Sequence, residues 1–243
     1  LEYNIVDVEL VDRLEDKMKL LELCLTMAYE AKVNYDDVFG QVKYWDVLIH
    51  NYLKKKNIVI PQKSHNTKVE KYEGAYVKEP QVGMHKWVMS FDLNSLYPHL
   101  IMQYNLSPET LVSGEFIKDL KVDNVLKGID FNLPDNTTIT PNGALYRKDI
   151  KGFLPEMMQE IHDDRTVYKK KMLKAKQDYE DTKDAKYLKY ISRYNNIQMA
   201  RKIALNSAYG AIGNKYCRYY DVRQAEGITL AGQYSIRFIQ RRV

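Results

Sequence analysis

A chain of 243 residues is long enough to bury a sizeable core, and at roughly 150 residues per domain it should hold one or two domains. Apolar residues make up 45% and charged residues 28% of it, ordinary values for a globular protein that exclude an intrinsically disordered chain. A net charge of +5 and a pI near 8.9 suit a polyanionic partner without demanding one. No apolar run approaches the roughly 20 residues that cross a bilayer, so no membrane partner is expected.

In chain order, Leu1-Glu2-Tyr3-Asn4 shows neither an initiator methionine nor a signal-peptide n-region, as expected of a chain that begins inside a longer protein. Residues 10–32 carry Leu14, Met18, Leu21, Leu25 and Ala28 at three-and-four spacing, which predicts an amphipathic helix. A second helix is predicted over 44–55. Ile58-Val59-Ile60-Pro61 and the polar run 62–68 then break the pattern, placing a boundary or linker at 57–71. Residues 72–150 read as short strands and turns, with Trp87-Val88-Met89-Ser90-Phe91 as a buried strand, Pro141-Asn142-Gly143 as a turn and a short helix over 98–105. Pro155 suits the first turn of a long helix. A polar turn at 181–184 leads into a second long helix over 185–208, and two long helices so joined should pack antiparallel as a hairpin. A last helix is predicted over 225–242. Cys24 and Cys217 match no metal-ligand spacing and are expected to be buried thiols in a reducing compartment.

The segment Ser90-Phe91-Asp92-Leu93-Asn94-Ser95-Leu96-Tyr97-Pro98 concentrates chemistry. A carboxylate at the end of an apolar strand needs a compensating partner such as a cation. Magnesium is the natural candidate, because it takes a few carboxylate oxygens and completes its shell with phosphates and water. Taken alone, an Asp in that place is more often a helix cap or a turn former. Further on, Lys202, Asn206 and Tyr209 are spaced i, i+4, i+7, so a cation, an amide and an aromatic ring share one helix face. That set suits an incoming nucleotide, the ammonium meeting phosphate oxygens and the ring packing near a base pair. Arg165 and Lys169 are also four apart on the preceding helix, whereas Lys170, Lys171, Lys174 and Lys176 fit an ordinary solvated face.

The string Asp-x-x-Ser-Leu-Tyr-Pro at 92–98 resembles motif A of the family B DNA polymerases. Lys-x-x-x-Asn-Ser-x-Tyr-Gly at 202–210 is similar to their motif B, and Gly213-Asn214-Lys215-Tyr216-Cys217-Arg218-Tyr219-Tyr220-Asp221 extends the likeness, most closely to polymerases of T-even-like bacteriophages. The resemblance runs over nearly the whole chain. It implies that Asp92 is one of two aspartates holding a catalytic magnesium pair, with the Leu93 carbonyl as a further ligand. Ser95 and Leu96 would offer backbone N–H groups to the triphosphate, and Tyr97 would be the steric gate that excludes a 2′-hydroxyl. Arg165, Lys169, Lys202 and Asn206 would bind the deoxynucleoside triphosphate. Tyr209, Gly210, Asn142, Gly143, Tyr72 and Gly74 would lie along the base pair and the template or primer backbone, although ordinary turns account equally well for Asn142-Gly143 and Tyr72-Glu73-Gly74-Ala75. Tyr3 and Asp7 fit the Tyr-x-x-x-Asp motif that ends the family's proofreading exonuclease, where Asp7 would bind metal. His99 departs from the family, which has a small Ser after Tyr-Pro.

The expected fold class is α+β and mainly helical: a partial polymerase palm sheet with a long antiparallel two-helix fingers hairpin. The expected segments are 1–60 from the end of the exonuclease, 61–152 for the first part of the palm, 153–213 for the fingers and 214–243 for the return into the palm. The family's Tyr-x-Asp-Thr-Asp hairpin and its thumb do not occur before Val243, so the two-ion magnesium site should be incomplete. Partners would be primer–template DNA, deoxynucleoside triphosphates, and a second polypeptide or further segments that supply the other aspartate, the thumb and the rest of the exonuclease. The setting implied is the cytoplasm of an infected bacterial cell. Two functions stay open: part of a nucleotidyltransferase, or a nucleotide- and DNA-binding module that does not turn over by itself. A helical scaffold unrelated to replication would leave two motifs in correct order to coincidence.

Overall fold

The computed structural model of the chain describes residues 2–63, 72–117, 120–128 and 132–243. The chain divides into two compact units, Leu1–Ile60 with Ile161–Ala204, and Pro61–Glu160 with Leu205–Val243. Most of the expected boundary at 57–71 falls outside the described residues.

The first unit is helical: α1 (Glu2–Met18), α2 (Leu20–Ala31), a 3-10 turn (Tyr35–Phe39), α3 (Gln41–Lys55), and the greater parts of α6 (Phe153–Thr182) and α7 (Lys186–Ile212). The single helix expected over 10–32 is instead two. Lys19 takes a left-handed conformation (φ 52°), and the Glu15 carboxylate accepts the freed Leu21 N–H at 3.1 Å, which caps the second helix. The apolar stripe that suggested one buried face is exposed at Leu14, Met18, Leu21 and Leu25, because no described element covers it. Burial begins at Met27, Ala28 and Ala31 and continues in α3 through Tyr44, Trp45, Ile49 and Leu53. Asn51 donates to the Ala31 carbonyl at 3.0 Å, joining α3 to the end of α2. Cys24 is half-exposed rather than buried, and Cys217 is buried as expected. Between α6 and α7, Tyr168 meets Tyr194 and Asp164 meets Arg201, pairs whose numbers run in opposite senses along the two helices.

The second unit contains α4 (Leu96–Tyr104), β1 (Leu111–Phe116), α5 (Val122–Leu126), β2 (Thr137–Ile139), β3 (Ala144–Arg147) and α8 (Val222–Arg242). The strands form one antiparallel sheet in the order β1-β3-β2, with Leu111 opposite Tyr146 and Ile139 opposite Leu145. The predicted turn joins β2 to β3. Gly143 sits there at φ +85°, and a Cβ would run into the Ile117 carbonyl, so only glycine fits. Asp221 caps α8 by accepting the Arg223 N–H at 2.9 Å. The first half of α8 is buried nearly all round, from Gln224 to Gln233, against α4, α5 and β3.

One loop sets the start of α6. Asn105, itself left-handed (φ 57°), accepts the Gly152 N–H at 2.9 Å and donates to the Arg147 and Ile150 carbonyls at 2.6 and 2.8 Å. Glu109 accepts the Phe153 N–H at 2.6 Å, so the open donors of the first turn are met by side chains more than 40 residues earlier. Asn105→Ala removes three hydrogen bonds and places alanine in a left-handed conformation. We expect a loss of about 3 kcal/mol, read as a lowered midpoint in denaturant.

The buried strand expected over 87–91 does not form. Trp87 is 98% exposed and Phe91 66% exposed, and the segment runs without a strand partner among the described residues. An apolar run becomes a strand only where a neighbouring strand accepts its backbone hydrogen bonds.

Candidate functional site

Residues 89–97 lead from this irregular segment into the first turn of α4. Ser95 is left-handed (φ 52°, ψ 46°) at the N-cap, and its carbonyl accepts both the His99 N–H at 3.2 Å and a contact from His99 Nδ1 at 2.9 Å. The histidine that departs from the family pattern thus folds back on its own helix and is exposed. Reversal at Ser95 points the first N–H groups of α4 out of the helix, where they have no intrahelical acceptors.

Asp92 is exposed, and with Leu93 it lies on an apolar groove of about 760 Å3 formed by Met89, Phe91, Leu93 and Leu96 with Ile236 and Ile239 of α8 and the following Val243. Among the described residues no group of three or more His, Cys, Asp or Glu side chains could hold a metal ion. A carboxylate on an open rim with a neighbouring backbone carbonyl fits magnesium, which binds through one or two carboxylates and takes its remaining ligands from phosphates and water. It does not fit a closed protein cage.

Behind the helix start, the Tyr97 ring is half-buried against the ring of Tyr209, with centroids 4.8 Å apart and planes at 48°. Tyr209 hydrogen-bonds through its hydroxyl to that of Tyr72 at 3.1 Å. Burial, then the neighbouring Tyr72, raises the Tyr97 hydroxyl above the usual tyrosine range. Burial, followed by the Tyr72 hydrogen bond, pushes Tyr209 up strongly. The strand-free stretch holding Tyr72 is fixed by α8: Thr229 donates to the Glu73 carbonyl at 2.7 Å, and Gln233 donates to the Glu73 carboxylate at 2.9 Å and the Gly74 carbonyl at 2.8 Å.

Asn142 is buried and its side chain is fully engaged in the fold. It accepts from Thr140 Oγ1 at 2.6 Å and donates to the Arg223 carbonyl at 2.9 Å and to Glu226 at 3.3 Å. Gly227 of α8 lets that turn approach, since a Cβ there would lie 3.1 Å from Thr140 Oγ1. Gly210 is exposed near the end of α7.

In the first unit, Arg165 is half-buried and Lys169 exposed, one turn apart on α6. Lys202 is exposed on α7, and Asn206, one turn on along the same helix, is exposed as well. Neither lysine has a carboxylate within 4 Å among the described residues. Arg201, adjacent to Lys202, is the opposite case: its guanidinium is mostly buried between Glu30 at 2.5 Å and Asp164 at 3.3 Å. Burial outweighs the Arg201 attraction and raises the Glu30 carboxyl above the usual range. Tyr3 and Asp7 stand one turn apart on α1, both exposed.

Sequence reasoning passed over Arg201, Thr229, Gly232 and Gln233. The signal for Gly232 was present: with Gly227 it interrupts an otherwise helical stretch, and a glycine in a helix interior needs a packing reason.

Three comparisons bear on this arrangement. The family model for "DNA polymerase family B" matches residues 39–243. The DNA-directed DNA polymerase of Escherichia phage RB69 is 35% identical over 283 aligned positions, covering 99% of this chain and 31% of the phage protein. That of Enterobacteria phage T4 is 34% identical, with 99% and 31% covered, and DNA polymerase 1 of Pyrococcus abyssi is 31% identical over 207 positions, 83% of this chain and 23% of the relative. The chain thus spans about a third of the length of the phage relatives. Among solved structures, the family B DNA polymerase of Pyrobaculum calidifontis superposes with a TM-score of 0.66 over 92% of this chain and 27% of its own, at 23% identity, a likeness of fold. With the family model spanning most of the sequence and relatives above 30% identity over nearly the whole chain, this chain belongs to family B of the DNA polymerases.

Proposed function

We propose that the chain is part of a DNA-directed DNA polymerase and supplies one metal aspartate and the nucleotide-selecting residues of a two-metal phosphoryl transfer. The observation that carries this is the segment 92–97, which sets an exposed carboxylate, open backbone donors and a half-buried ring within six residues of one another. In this reading Asp92 and the Leu93 carbonyl hold magnesium. The bound ions supply the positive charge that eases loss of the primer hydroxyl proton and departure of pyrophosphate.

The chain's own groups do the rest. The N–H groups of Ser95 and Leu96 hold phosphate oxygens without adding mobile charge. Tyr97 lies under the deoxyribose, its ring packed against that of Tyr209. The helices α6 and α7 form the fingers hairpin, whose Arg165, Lys169, Lys202 and Asn206 bind the triphosphate. Support comes from Lys169 and Lys202, both exposed and neither with a carboxylate within 4 Å among the described residues. Tyr209 and Gly210, with Tyr72 and Gly74, follow the nascent pair and its backbone. Asn142 and Gly143 shape the turn beside them, the engaged Asn142 side chain acting through position. Tyr3 and Asp7 on α1 are the last motif of a proofreading exonuclease. Primer–template DNA and deoxynucleoside triphosphates are the partners, with further polypeptide supplying the second aspartate and the thumb.

The second reading, a module that binds nucleotide or DNA without turnover, draws on Asp92 being the one carboxylate at the groove rim among the described residues. Primer extension with magnesium and four deoxynucleotides separates the two. We expect this chain alone to bind primer–template in a salt-dependent way without extending it, and extension to appear when the remaining polymerase segments are supplied. Absence of extension from the completed assembly would leave the binding module as the function, and robust extension by the chain alone would show that no second aspartate is needed.

A further inference from the structure

We infer that Gly232, in the middle of α8, is a positioning residue for sugar selection: its missing side chain decides where the Tyr97 ring rests. The inference depends on the reading of Tyr97 as the sugar gate.

Glycine lowers helix stability, yet Gly232 stands in the most buried stretch of a 21-residue helix. The ring explains it. A Cβ on Gly232 would lie 3.1 Å from Tyr97 Cε1, inside ordinary carbon contact, while Leu100 and Leu96 would be at a comfortable 3.8 Å. Any added methyl group therefore acts on Tyr97 first. The ring has little freedom to absorb it. Its backbone is at the start of α4, beside the buried Pro98 and Leu100, and its face meets Tyr209.

Tyr209 is held in turn by the Tyr72 hydroxyl, and the Tyr72 segment is tied to the same helix by Gln233, the residue after Gly232. One helix thus governs both contacts of the ring: Gly232 by direct approach, and Gln233 through Glu73 and Gly74, then Tyr72 and Tyr209. A displacement of a few tenths of an ångström at a group that reads a single hydroxyl is enough to change selection, because positioning errors on the ångström scale alter rates by large factors.

The test is a double-mutant cycle in the complete polymerase, reading kcat/KM for a deoxynucleotide against the matching ribonucleotide. Gly232→Ala should shift that ratio by about threefold or more, mainly through KM. In a Tyr97→Ala background the same substitution should shift it by less than about twofold, since the methyl group then has no ring to move. An unchanged ratio in the single variant, or a shift that persists without the ring, overturns the inference. Should Gly232→Ala fail to fold, Gln233→Leu keeps the volume and removes both hydrogen bonds to 73–74. It too should shift the ratio only when Tyr97 is present, and no shift counts against the inference. If Tyr97→Ala by itself leaves discrimination intact, the gate reading falls. If Tyr97→Ala relaxes discrimination and the α8 variants do nothing, the gate stands and the role of α8 falls.

Discussion

Alanine at position 92 should lower primer extension by the complete polymerase about a thousandfold or more, equivalent to about 4 kcal/mol of transition-state stabilisation. The carboxylate is exposed at the groove rim and makes no hydrogen bond or ion pair among the described residues, so its removal costs the fold little. Thermal unfolding should stay within about 0.5 kcal/mol of the parent, as for surface substitutions generally. The contrast is the useful part of the experiment: a large rate loss with an unchanged melting profile is the mark of a group that acts on the reacting atoms. Rates within about tenfold of the parent would remove Asp92 from the metal site.

Replacing Tyr97 by alanine should raise the use of ribonucleotides relative to deoxynucleotides about a hundredfold, while primer extension with deoxynucleotides falls far less. The asymmetry follows from how a steric gate works. Its ring contributes little attraction to the deoxyribose but excludes a hydroxyl that would need the same space. Loss of the ring also uncovers Tyr209, its stacking neighbour at 4.8 Å, so a moderate stability loss of about 2 kcal/mol should accompany the change. Competition assays with both sugars in one reaction measure the ratio directly. Discrimination that survives the substitution would move the selection to another residue.

Much of the local structure was legible because it depends on nearby residues. The helices α3, α6 and α7 follow from apolar spacing and good helix formers, and the turn at 141–143 from Pro-Asn-Gly, whose Gly143 takes the positive φ that the turn requires. Even so, α7 runs on to Ile212, four residues beyond the expected end, because Gly210 and Ala211 are carried by the packing of Ala208, Ala211 and Ile212. The break at Lys19 was not legible. It rests on the Glu15 carboxylate bonding a backbone N–H six residues on, which competes with continued helix and leaves no trace in hydrophobic periodicity.

The site divides in the same way. Asp92 and Tyr97 were singled out by the resemblance to motif A, and Lys202 and Asn206 by their shared helix face together with the resemblance to motif B. What lies behind them could not be. Arg201 stands beside Lys202 in the sequence with nothing to set it apart, and only the placement of Glu30 and Asp164 shows it to be held in an ion-pair network. Asn142 reads as a turn residue open to a ligand, and only α8 shows its amide to be committed to the Arg223 carbonyl and Glu226.

By itself, then, the sequence determined the family of this protein, the helices and turn that local spacing encodes, and the short list of residues proposed to meet metal and phosphate. The tertiary structure alone decided that residues 87–91 do not make a strand, that the apolar stripe of α1 and α2 is exposed, and that Gly232 of α8 lies against Tyr97 while Gln233 bonds the segment 73–74. The physical reason is common to all three. Strand formation, burial and close approach are properties of a residue's neighbours in space, and those neighbours lie from tens of residues to more than 150 away along the chain.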